Sequence, residues 1–131
     1  MEKKKYVLKK DVDNTVKPAD GTENGEHIFD MIDRAKMCFG NIQDNTDLAA
    51  QIFKLNKNNL DEDELDALQL LCEDAIAIEK EGERVMGELS IDCDKIDKHI
   101  KVSEGKIEEY LKAILLLEMS SKNIIEKILR R

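Results

Sequence analysis

The side chains in this sequence best suited to chemistry are three cysteines, Cys38, Cys72 and Cys93, and two histidines, His27 and His99. Thiolates and neutral imidazoles are the usual ligands of zinc. Their spacing here is unlike a metal motif. No Cys-x-x-Cys and no His-x-x-x-His occurs, and Cys93 and His99 are six residues apart, which does not place them on one helical face. The residues three before the histidines are Asn24 and Ile96, so the Glu-x-x-His pair of di-iron bundles is missing. A zinc site would have to gather the cysteines and a histidine from different helices.

Nucleophilic catalysis needs a Ser, Cys or Thr beside a base and an orienting group. With only two histidines and no Gly-x-Ser-x-Gly elbow, no such constellation is visible. Gly21 and Gly25 stand in Gly-Thr-Glu-Asn-Gly, which lacks the Lys-Ser/Thr and the preceding strand of a phosphate-cradling loop. Carboxylates are abundant, but in an acid-rich helix paired acids arise by chance and do not identify an acid/base couple. The expectation is a non-enzymatic chain with no cofactor and no metal.

Periodicity shows which elements carry these residues. Ile28, Ile32, Ala35, Phe39, Ile42, Thr46, Ala49 and Phe53 alternate steps of four and three, the 3.5-residue spacing of a coiled-coil seam. Gly40 and the poor helix formers Asn41, Asp44, Asn45 and Asp47 leave a break near 40–47 as an alternative to one long helix. Asn56-Lys57-Asn58-Asn59 reads as a turn, with Asn58 or Asn59 as a cap and Asp61 to Glu64 on the positive end of the next helix dipole.

The second seam is Leu68, Leu71, Ala75, Ile78, Gly82, Val85 and Leu89, with Gly82 as a point of close helix approach. Ser90 to Asp94 reads as a connection, with Ser90, Asp92 or Asp94 as a cap. The third seam is the longest: Ile96, Ile100, Ser103, Ile107, Tyr110, Ile114, Leu117, Ser121, Ile124 and Ile128. It predicts a helix from about Asp94 to Leu129 that projects beyond the other two. Short connections between long helices imply antiparallel neighbours. The fold expected is therefore all-α: an antiparallel up-down-up three-helix bundle over residues 26–131, with coiled-coil-like packing and a long third helix.

Residues 1–25 are expected to form a flexible N-terminal tail. Asp11 to Gly25 holds the single Pro and two glycines and lacks apolar periodicity. Before it, Tyr6-Val7-Leu8 sits among Lys3, Lys4, Lys5, Lys9 and Lys10, a basic terminus able to form an edge strand or to dock on a partner.

Composition narrows the function classes. The 131 residues carry 21 Lys+Arg and 29 Asp+Glu, a net charge of -8, with 41% hydrophobic and 4% aromatic residues. An acidic chain is a poor general binder of nucleic-acid phosphates. No apolar run is long enough to span a bilayer. No apolar segment follows Met1-Glu2-Lys3-Lys4-Lys5, so no secretory leader is expected. The odd cysteine count then points to free thiols in a reducing, cytoplasmic setting. Ile114-Leu115-Leu116-Leu117 reads as bundle core rather than a membrane-surface element, which usually carries a Lys/Arg-rich polar face.

Charge is uneven along the chain. Residues 60–94 hold 13 acids and two bases, net -11, whereas residues 95–131 hold nine bases and six acids, net +3. Two candidate surfaces follow. One is a partner or oligomer face on the third helix: Leu111, Leu115, Ile125 and Leu129. The other is the acidic row Asp61, Glu62, Asp63, Glu73, Asp74, Glu81 and Glu88. The leading expectation is a protein–protein interaction module, binding another protein or its own copy, with no direct nucleic-acid or membrane contact. The alternative is an acidic inhibitor or regulator of a nucleic-acid-binding protein, its carboxylates standing in for phosphates.

Overall fold

The computed structural model describes the backbone of residues 20–130 and the side chains of residues 27–130. Three helices fill it: α1 (Asp20–Asn56), α2 (Glu62–Asp97) and α3 (Glu104–Leu129), with no strand among the described residues. Every helix packs against the other two. Residues 1–19, including Tyr6-Val7-Leu8, lie outside the described residues. Helical backbone nevertheless begins at Asp20, inside the stretch whose composition reads as linker. Each added residue of an existing helix gains one hydrogen bond, so extension past Gly21 and Gly25 is cheap compared with nucleation.

α1 passes through Gly40 without a break. Its seam residues from Ile28 to Phe53 are all buried or half-buried, so tertiary packing outweighs the low propensity of residues 40–47. At its end the Asn56 side-chain amide donates to Ile52 O at 2.8 Å and Asn59 N–H donates to Asn56 O at 2.9 Å, closing the turn. The cap of α2 is Asp61, rather than Asn58 or Asn59. Its carboxylate accepts from Glu64 N–H at 2.8 Å, and Glu64 accepts from Asp61 N–H at 3.2 Å. Two otherwise unpaired donors are satisfied reciprocally, a capping box.

The connection between α2 and α3 lies further along than the sequence predicts. Ser90 to Asp94 is helical, and α2 ends only at Asp97. Its end is a Schellman closure: His99 N–H donates to Ile96 O at 2.9 Å and Ile100 N–H to Lys95 O at 2.8 Å. Glycine usually occupies the left-handed position of this motif. Here it is His99, with φ 64°, so the customary stop signal is absent from the sequence. The expected third seam is divided accordingly. Ile96 belongs to α2, Ile100 is exposed and Ser103 is the N-cap of α3. The third helix, at 26 residues, is thus the shortest of the three and does not project.

Three core clusters give the alignment. Met31, Ile32 and Ala35 of α1 share a cluster with Leu89 and Ile96 of α2 and with Ile107 and Leu111 of α3. Ala49 of α1 shares another with Leu68 and Ala75 of α2 and with Ile124, Ile125 and Ile128 of α3. Cys38, Ile42, Val85 and Ile114 join them in the middle. The start of α1 therefore meets the end of α2 and the start of α3, so α2 runs against the other two. Fully burying each large side chain contributes about 1.5–3 kcal/mol. Gly82 is the close approach its seam position implies: a Cβ there would lie 2.9 Å from Cε1 of Phe39.

Candidate interaction surface

The core contains one charged side chain among the described residues. Asp92, 2% exposed, continues the α2 seam from Leu89 and precedes Ile96. The Tyr110 hydroxyl donates to its Oδ2 at 2.8 Å. Lys106 Nζ lies 3.4 Å from the same oxygen and Lys95 Nζ lies 3.5 Å from Oδ1. Burial works against the Asp92 charge. The Tyr110 hydrogen bond and the two lysines outweigh it and hold the carboxyl below the usual carboxylate range. Tyr110 is pushed up, first by burial and then by its bond to Asp92; Lys106 is raised by the adjacent carboxylate. The carboxylate is enclosed by Tyr110, Lys106 and Lys95. Its chemistry is that of a polar tie between α2 and α3. In the sequence Asp92 reads as a helix cap, and its place on the 3/4 spacing after Leu89 is the signal that identifies it as core.

The other groups with chemical potential are kept apart. Cys93 borders the first core cluster, Cys72 the second, and Cys38 lies in the third. Burial pushes all three thiols up; the Glu118 carboxylate adds to this at Cys38 and Glu73 at Cys72. A raised thiol pKa lowers the thiolate fraction and with it nucleophilicity. His27 Nε2 stands 3.5 Å from Glu104, while His99 closes the α2 terminus. Among the described residues, no three His, Cys, Asp or Glu side chains gather as a metal ion would require, and no helix is long and apolar enough to cross a membrane.

The expected apolar face on α3 is not assembled as predicted. Leu111 and Ile125 are each 7% exposed and form part of the core, and Leu115 packs half-buried against it. Only Leu129 is freely exposed. Contact with both α1 and α2 uses both flanks of α3, so residues beside its central seam are consumed internally. The acidic row is different: Asp61, Glu62, Asp63, Glu73, Asp74, Glu81 and Glu88 are all exposed. Arg84 bridges Glu81 and Glu88, Gln69 donates to Glu73 at 3.1 Å, and Asp61 is engaged in its cap.

A different apolar surface appears along the outer edge of the α1–α3 pair. There Asn41 donates to Glu118 at 2.6 Å, an exposed bridge between the helices. Met37, Leu48 and Leu55 lie four before, seven after and fourteen after Asn41, and so share its strip of α1. On α3, Leu129 is eleven residues, about three turns, from Glu118 and lies on its side of the helix, whereas Met119 and Leu116 are turned about 100° and about 160° from it. These six side chains range from 38% (Leu48) to 76% (Leu55) exposed. Half-buried Leu115 lines the same edge. On α2, Leu70, Ile76 and Ile91 are exposed as well. Comparisons with protein-family models, curated proteins and solved structures find no match for this chain.

Proposed function

We propose that this chain is a non-catalytic protein-interaction module whose contact surface is the outer face of α1 and α3. The observation that carries the reading is the set of large apolar side chains left in water on α1 and α3: Met37, Leu48, Leu55, Leu116, Met119 and Leu129. Apolar surface of this kind gains about 25 cal/mol per Å² when covered, which drives association. The side chains point outward, so replacing them leaves the core intact. The test compares the native chain with a Met37→Glu/Leu55→Glu/Met119→Glu variant. The native chain should bind an apolar fluorescent dye or exceed its monomer mass of 15.0 kDa. The variant should do neither while retaining its helical circular dichroism. A native chain that stays at monomer mass and binds no dye overturns the reading.

A second reading rests on the acidic row, all of it solvent-facing along α2. It makes the chain an inhibitor that offers carboxylates to the basic groove of a nucleic-acid-binding protein. Such binding is screened over a Debye length and should collapse between about 50 and about 300 mM salt. Salt-insensitive binding would rule it out.

A further inference from the structure

We draw no further inference here: the strongest candidate, the surface patch of exposed apolar side chains on α1 and α3 (Met37, Leu48, Leu55, Leu116, Met119 and Leu129), belongs to the surface already described, and nothing in the structure shows what covers it.

Discussion

The two ends of α2 each carry an aspartate whose side chain binds a neighbour, and the two do opposite work. Asp61 stands in water at the N-terminus and caps its own helix through Glu64. Asp92 sits one turn from the C-terminus, on the seam, and ties α2 to Tyr110 of α3. The chemistry is the same: a carboxylate oxygen accepting at 2.8 Å. The surroundings differ. Asp61 keeps its hydration, so losing its bond forfeits a local gain. Asp92 has given up water, so losing a partner leaves a desolvated charge. Position relative to the seam, rather than residue type, decides what a polar side chain contributes.

The largest expected effect is at the buried end. Tyr110→Phe removes the closest donor to Asp92 and should destabilise the fold by about 1.5–3 kcal/mol in urea denaturation. Adding Asp92→Leu to that variant should recover part of the loss, since an apolar pair leaves no buried group unpaired. A double variant less stable than Tyr110→Phe alone would break the comparison. The same site has a pH signature. The folded-state pKa of Asp92 is depressed, so its stabilisation is present above the unfolded carboxyl value and lost as pH falls through the folded one. Denaturation midpoints at pH 7 and pH 3 should differ less in Asp92→Asn than in the native chain.

Glycines on α2 extend the contrast. Gly82 lies on the seam against Phe39, whereas Gly87 meets nothing within 4 Å. Gly82→Ala should cost about 1–3 kcal/mol through overpacking. Gly87→Ala should gain about 0.5–1 kcal/mol through helix propensity. Equal thermal shifts of the same sign would contradict the assigned roles. At the exposed end, Asp61→Ala should cost about 1 kcal/mol, less than Tyr110→Phe. The smallest change expected is a gain of up to about 1 kcal/mol from His99→Gly, which relieves the left-handed backbone at φ 64° against the greater chain entropy of glycine. Both are read from denaturation midpoints.

Much of the fold was legible because seams leave a periodic record. All of the α1 and α2 stripes, and the α3 stripe from Ile107 onward, are buried or half-buried. The misplaced connection has a definite physical cause. A buried aspartate at Asp92 resembles a cap in sequence, and the true terminus has a histidine in place of the glycine that marks such ends. The exposed apolar side chains were harder to read. Periodicity identifies apolar residues on a helix face, but which of them are consumed depends on how many neighbours that helix has. Leu111 and Ile125 were consumed because α3 contacts both partners; Met37, Leu48 and Leu55, lying off the α1 seam, were left over. The acidic row was legible because charge density keeps it in water wherever α2 packs.

In the proposed function, association runs through α1 and α3 and leaves α2 free. Amide hydrogen exchange followed by mass spectrometry tests it directly, comparing the native chain at concentrations on the order of 1 µM and on the order of 100 µM, a range that spans micromolar dissociation constants. Added protection at the higher concentration, confined to residues 37–55 and 115–129 and absent from 61–88, is the predicted result. Protection that grows along the acidic row instead would contradict it.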